Sequence, residues 1–162
     1  MKDTISPDEL STSIASVVSN LVGIKELYPS QLQLLETLLA HDNIFYTGSS
    51  NSGKTLPTII YPEVLKKLNA NGHKFPANPK VLFVTALNSL QLSLLNNTKS
   101  LGLSGEILTS QNASQLLKTD IPVLFISPET LKLPNVTRLL LENRHNFVLK
   151  VVDEAHLGTA SY

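Results

Sequence analysis

The chain alternates short apolar runs with segments whose apolar residues recur at helical spacing. The apolar runs lie at 44–47, 81–86, 123–127 and 147–153, and a shorter run lies at 106–109. Because these runs are continuously apolar, they predict strands that are buried on both faces. Helical patterns between such strands are typical of a parallel sheet with helices on both faces. The pattern therefore predicts an α/β fold.

Two amphipathic helices are predicted ahead of the first strand. Ser6 is a candidate N-cap, Pro7 suits the first helical position, and Glu9 completes a capping box. Apolar residues then recur at helical spacing as far as Gly23, which favours the left-handed conformation that ends a helix. A second helical pattern follows Pro29.

Length and composition fit one globular domain. The 162 residues, 42% of them hydrophobic and 16% charged, are enough to enclose one apolar core. We interpret residues 1–26 as an N-terminal helical segment and residues 27–162 as one α/β domain. The absence of cysteine excludes disulfides, thiolate metal sites and thiol nucleophiles. No signal-peptide core or membrane-spanning apolar stretch occurs, so we expect a nuclear or cytoplasmic protein without a membrane partner.

Residues 48–55 read Gly-Ser-Ser-Asn-Ser-Gly-Lys-Thr and match the phosphate-binding pattern G-x-x-x-x-G-K-[ST]. They follow a predicted strand and open a predicted helix. Small residues let consecutive N–H groups surround an anion at the positive end of the helix. Lys54 can reach the β- and γ-phosphates of ATP, and the Thr55 hydroxyl can coordinate Mg²⁺. The candidate nucleotide-binding residues are Gly48, Ser49, Ser50, Asn51, Ser52, Gly53, Lys54 and Thr55.

Two prolines follow this loop. Pro57 falls within the first helical turn, where a missing N–H costs little. Pro62 lies deeper, and we expect it to kink or end the helix.

A second acidic element follows the last apolar run, where the sequence reads Asp153-Glu154-Ala155-His156. Ligands of open α/β sheets bind at the carboxyl ends of the strands. Asp153 can hold Mg²⁺ through its carboxylate, and Glu154 can orient the attacking water. His156 either couples the nucleotide site to a neighbouring element or is an ordinary hydrogen-bonded polar residue. The candidate catalytic residues are therefore Lys54, Asp153, Glu154 and His156.

Together these motifs resemble superfamily 2 helicases, and RecQ-like DNA helicases most closely, over about residues 27–156. The resemblance implies a RecA-like P-loop domain that uses ATP and Mg²⁺. Residues 28–31, Tyr-Pro-Ser-Gln, are similar to the aromatic-x-x-Gln element that precedes the phosphate loop in that family. This similarity implies that Tyr28 and Gln31 belong to the nucleotide site and that Gln31 recognises adenine.

Two further segments resemble DNA contacts of the same family. Residues 85–90, Thr-Ala-Leu-Asn-Ser-Leu, are similar to its Ser-Pro-Leu-x-Ser-Leu segment, and residues 126–129, Ile-Ser-Pro-Glu, to its Thr-Pro-Glu segment. Thirteen basic residues balance thirteen acidic ones, so such contacts must be local. Single-stranded or partly duplex DNA is the implied partner, with RNA as the alternative. The implied contact residues are Thr85, Leu87, Ser89, Ser127, Pro128 and Glu129.

The resemblance also implies parts that we do not find in residues 1–162. In helicases of this type a further strand lies between the phosphate-loop strand and the acidic strand, and a second RecA-like domain supplies an arginine finger. We therefore expect an ATP-binding domain, truncated after its DEAH box, that hydrolyses ATP very slowly alone. Two other interpretations stay open, namely a different P-loop enzyme such as a small-molecule kinase, and a non-catalytic binding module.

Overall fold

The structure, a computed structural model, describes residues 5–40, 45–48, 55–86 and 89–153. Five strands form one parallel sheet in the order β1-β5-β2-β4-β3. The strands are β1 (Phe45–Gly48), β2 (Lys80–Val84), β3 (Gly105–Ile107), β4 (Val123–Ile126) and β5 (Phe147–Asp153). Because all pairs are parallel, the five strands end at one edge of the sheet, which we name the carboxyl edge. They begin at the opposite edge, the amino edge.

Within the described residues, two α-helices precede the first strand, and five α-helices and one 3₁₀ turn lie between the strands. The helices are α1 (Pro7–Ser19), α2 (Pro29–Ala40), α3 (Thr55–Ala70), α4 (Ser89–Ser100), α5 (Ala113–Leu116), α6 (Pro128–Leu131) and α7 (Pro134–Glu142), and the 3₁₀ turn is Arg144–Asn146. The predicted helices after residues 6 and 28 and all five predicted strands are confirmed.

The sheet separates two apolar cores, because successive residues of a strand point to opposite faces. Phe83 and Phe125 face the larger core, where their ring centroids lie 5.6 Å apart and where α1, α2, α3 and α4 pack. Leu82 and Ile126 face the smaller core, which α5 and α7 cover. The predicted α/β fold with helices on both faces is therefore confirmed.

The first helix begins as its capping sequence predicts. The Ser6 hydroxyl accepts a hydrogen bond from the Glu9 main-chain N–H at 3.1 Å, and Gly23 adopts φ 82° beyond the helix end. α1 packs against α3, to whose core it contributes Val17. The Glu9 carboxylate also lies 2.9 Å from Nε2 of His73, in the loop that follows α3. α1 thus shares the larger core with the helices of the sheet.

Helix α3 contains both prolines, and one of the two outcomes expected at Pro62, an end of the helix, is wrong. Pro57 lies in the first turn as predicted, but Pro62 does not end the helix, which continues to Ala70. Proline removes one main-chain hydrogen bond. Tyr61, Val64 and the neighbouring apolar side chains of α3 are buried in the larger core, so packing retains the helix across the proline.

The phosphate-loop strand and the acidic strand are direct neighbours in the sheet. Four consecutive residues of β1 pair with β5, from Phe45 opposite Lys150 to Gly48 opposite Asp153. The strand that the resemblance places between them is not present among the described residues. The hydrogen-bonding edge of β5 is therefore available to β1.

At the amino edge, Lys80 joins the start of β2 to the loop before β4 by hydrogen bonds. Its side chain is almost fully buried, and Nζ donates to the main-chain oxygens of Thr119 at 2.5 Å and Ile121 at 2.9 Å. Burial lowers the pKa of Lys80, the nearby Asp120 carboxylate opposes this effect, and Lys66 adds to it. Because both bonded oxygens precede β4, one side chain ties the loop before β4 to the start of β2.

Candidate functional site

Two of the residues proposed from sequence lie side by side at the carboxyl edge. Gly48 and Asp153 are the last residues of β1 and β5, and they are partners in the strand register. Neighbouring strands lie about 4.8 Å apart. The phosphate-loop sequence and the acidic tetrapeptide therefore start from adjacent points of one sheet edge.

Helix α3 supplies the other end of the phosphate-loop sequence. Thr55 is its first residue and is half-buried, and its main-chain oxygen accepts a 2.6 Å hydrogen bond from the Thr58 hydroxyl. The amino end of a 16-residue helix carries a partial positive charge. The loop between, which consists of Ser49, Ser50, Asn51, Ser52, Gly53 and Lys54, lies outside the described residues.

The donor chemistry at this end of the sheet fits a magnesium nucleotide. Mg²⁺ prefers oxygen ligands, and nucleotide sites commonly provide one or two from the protein and the rest from phosphates and water. Thr55 and Asp153, which begin α3 and end β5, carry a hydroxyl and a carboxylate. Glu154 and His156 lie outside the described residues.

The predicted adenine-binding pair occupies the first turn of α2. Gln31 is buried, and its Oε1 accepts a hydrogen bond from the main-chain N–H of Tyr28 at 2.8 Å. The Tyr28 side chain is 71% exposed. Tyr61 of α3 donates its hydroxyl to the Leu38 oxygen at 3.2 Å, so α2 packs beside the helix that follows the phosphate loop. The Gln31 amide therefore holds the turn that presents the Tyr28 ring to solvent.

The two segments assigned to nucleic acid follow neighbouring strands, β2 and β4. The main-chain N–H of Thr85 donates to the Ile126 oxygen at 2.9 Å, which extends the β2–β4 pairing to the carboxyl edge. Ser127 is buried and caps α6, because its hydroxyl accepts from the Thr130 N–H at 3.1 Å and donates to the Thr130 hydroxyl at 2.9 Å.

The other residues of these segments differ in exposure. Pro128 is half-buried and Glu129 is exposed at the start of α6. Ser89 is the first residue of α4, and Leu87 lies outside the described residues. Glu129 therefore offers the most accessible side chain among those described here.

One polar residue at this edge was missed from the sequence. Gln91, in the first turn of α4, is fully buried, and its Nε2 lies 3.5 Å from the Thr85 oxygen. Its Oε1 has no hydrogen-bond partner in the described part of the chain. A buried acceptor without a partner costs about 1–3 kcal/mol.

The sequence does carry a signal for this residue. Gln91, Leu94, Leu95 and Thr98 share the buried face of α4 at helical spacing. A glutamine on an apolar helical face is a candidate functional residue, because burying an amide is unfavourable unless it is hydrogen-bonded.

Comparison with known families agrees with the fold. The family described as "Type III restriction enzyme, res subunit" matches residues 24–162. The chain belongs to this family. Type III restriction res-subunit domains are superfamily 2 helicase-like ATP-binding domains, and the parallel sheet with helices on both faces is consistent with their RecA-like P-loop fold. No curated protein is detectably similar to the chain in sequence.

Among the residues that the structure describes, none of the helices has the length and apolar character needed to cross a bilayer.

Proposed function

We propose that the chain binds ATP with Mg²⁺ where β1 and β5 end and a nucleic-acid strand where β2 and β4 end. It would do so as the ATP-binding domain of a RecQ-like DNA helicase. The observation that carries the proposal is the pairing of Gly48 with Asp153, beside a helix that starts at Thr55. A phosphate loop and an acidic strand end so close together are suited to one metal-bound triphosphate.

Each residue of this end has a distinct role in the proposal. Lys54 contacts the β- and γ-phosphates, while Thr55 and Asp153 hold Mg²⁺. Glu154 orients the attacking water, and Gln31 with Tyr28 selects adenine. Mg²⁺, when bound, neutralises negative charge on the phosphates. His156 couples this end of the site to the neighbouring nucleic-acid segments.

The nucleic-acid part of the proposal is supported by the strand order. β2 and β4 follow β5 along the sheet, so the segments at Thr85 and Ser127 line up beside the proposed nucleotide site. Main-chain N–H groups and hydroxyls contact phosphates without reading bases. Such contacts suit a protein that moves along a strand, and they need no basic patch. The chain has equal numbers of basic and acidic residues.

Nucleotide titration of Lys54→Ala tests the proposal. The substitution removes a charge-assisted phosphate contact, so we expect affinity for Mg-ATP to fall about tenfold or more. Lys67→Ala is the matched control, because Lys67 is an exposed lysine in the last turn of α3. Equal affinities in the wild type and Lys54→Ala would remove the phosphate assignment.

A second measurement separates the helicase interpretation from a small-molecule kinase. We expect the 162-residue chain to bind short dye-labelled single-stranded DNA, measured by fluorescence anisotropy, with an affinity that falls as salt rises. Tighter binding to RNA of the same sequence would overturn the RecQ-like DNA assignment while keeping a nucleic-acid function. Binding to neither polymer would overturn the nucleic-acid function itself.

A further inference from the structure

Gln91 differs from the other polar residues buried within the described residues. Its side-chain oxygen is the single fully buried side-chain N or O atom there that has no hydrogen-bond partner. Thr98, on the same face of α4, is also buried, but its hydroxyl donates to the Leu94 oxygen at 2.8 Å. On this face of α4, Thr98 is thus hydrogen-bonded within the helix, whereas Gln91 in the first turn keeps an unpartnered oxygen.

The position of Gln91 connects it to the segment after β2. Side chains of a helix lean toward its amino end, so Gln91 in the first turn of α4 leans toward the carboxyl edge of the sheet. The contact between Nε2 and the Thr85 oxygen agrees with this direction. The amide orientation is assigned from this contact, because exchanging the oxygen and nitrogen would bring two acceptors together.

We infer that Gln91 is a positioning residue for a nucleic-acid strand bound at the end of β2, an inference that rests on the proposed function. Its Nε2 holds the main chain at Thr85, and its Oε1 gains a hydrogen-bond donor when the strand is bound. A buried acceptor that is partnered only in the complex favours the complex over the free protein.

The chemistry of Oε1 limits which group can be its hydrogen-bond donor. An oxygen of a side-chain amide accepts hydrogen bonds and cannot contact a phosphate oxygen favourably. One donor is a 2′-hydroxyl, which RNA has and DNA lacks, and it can reach Oε1 only when binding turns the buried Gln91 side chain outward. The other is a main-chain N–H of the protein that reorients around a bound strand of either kind. Comparing the two polymers distinguishes these sources.

Gln91→Leu tests the inference in the full chain. The substitution keeps the approximate size of the side chain, and it removes both the unpartnered oxygen and the long contact of Nε2 with the Thr85 oxygen, so we expect a nearly unchanged melting temperature. We expect strand affinity, measured by anisotropy with dye-labelled DNA and RNA of one sequence, to fall about tenfold. A loss with RNA alone identifies the 2′-hydroxyl, and equal losses identify a protein N–H. Both results support the inference.

The control is Thr98→Val, which removes a partnered buried hydroxyl from the same helix face and should lower stability without changing strand affinity. Unchanged affinity in Gln91→Leu, while the wild type binds, would overturn the inference and leave the proposed function intact. If the wild type binds neither polymer, the proposed function fails first. If Gln91→Leu does not fold, Gln91→Met replaces it, and failure of both to fold would show a purely structural role and overturn the inference.

Discussion

The two edges of the sheet differ in how completely their polar side chains are hydrogen-bonded. At the amino edge, Lys80 donates to two main-chain oxygens, and Asn69 accepts from the Phe75 N–H at 2.7 Å while also donating to the Phe75 oxygen. At the carboxyl edge, Gln91 keeps an unpartnered oxygen, although Ser127 is fully engaged. The amino edge is thus satisfied by the protein itself, whereas the carboxyl edge retains bonding capacity.

In our proposal, this difference distinguishes residues that stabilise the fold, at the amino edge, from a residue that assists binding, at the carboxyl edge. Groups that are already bonded within the fold stabilise it, and their loss is expected to appear in unfolding measurements. A group that lacks a partner in the free protein does not stabilise the fold, and in our proposal it contributes to binding instead. Substitutions of Lys80 and Gln91 should therefore give opposite patterns, with stability lowered in the first case and strand affinity lowered in the second.

The largest expected effect is that of Lys80→Met. This variant leaves the oxygens of Thr119 and Ile121 without their buried donor, so we expect the free energy of unfolding in urea to fall by about 2–3 kcal/mol. Mg-ATP affinity at 25 °C should stay unchanged, the reverse of Lys54→Ala. A loss of nucleotide affinity in folded Lys80→Met would contradict the separation of the two edges.

The same variant also tests the lowered pKa of Lys80 through the pH dependence of stability. Burial lowers the pKa of Lys80 below its ordinary value of 10.5, so in the window just below 10.5 the unfolded chain binds this proton more strongly than the folded chain does. Stability contributed by this group therefore rises with pH through that window. The stability difference between the wild type and Lys80→Met should grow with pH there, and a constant difference would contradict a lowered pKa.

A smaller effect is expected from removing one helix cap at the carboxyl edge. Ser127→Ala should lower the free energy of unfolding by about 1 kcal/mol, because the Thr130 N–H loses its acceptor. Ser6→Ala is a matched control, since Ser6 caps α1 at the same 3.1 Å distance. We expect both variants to lose similar stability and Ser127→Ala alone to bind single-stranded DNA about threefold more weakly, by anisotropy. Equal DNA affinities would restrict Ser127 to a structural role.

The smallest effect is expected at the hydrogen bond between Glu9 of α1 and His73 in the loop after α3. Glu9→Gln weakens the contact with His73, so unfolding in urea at pH 6 should show a loss of about 0.5–1 kcal/mol. Glu142→Gln, in the more exposed pair with Arg138, is the control and should cost less. A larger loss in Glu142→Gln would contradict the contribution of the half-buried contact.

Local sequence signals were sufficient for most of the fold. Continuous apolar runs identified the strands because both faces of the sheet are covered, and the Ser6 cap identified the start of α1. Of the two outcomes expected at Pro62, a kink or an end of the helix, the second is wrong, because burial along α3 outweighs the loss of one hydrogen bond, which only the packed structure reveals. The pairing of β1 with β5 likewise depends on contacts between distant segments.

The candidate site was predictable to a lesser degree. The phosphate-loop pattern and the acidic tetrapeptide define types of residue, and their placement at one edge follows from parallel strands. The bonding of Gln31 to Tyr28 and the unpartnered oxygen of Gln91 depend on the geometry of individual side chains. No spacing rule specifies such geometry.

The hydrogen-bonded ladder between β1 and β5 also sets the register of the acidic strand. Moving the pairing by a single residue would carry every side chain of the shifted strand to the opposite face of the sheet. Four matched pairs oppose such a slip, the last of them Gly48 with Asp153. A slip of β5 would therefore displace Asp153 from its place opposite Gly48, and it would also remove Leu149 and Val151 from the larger core.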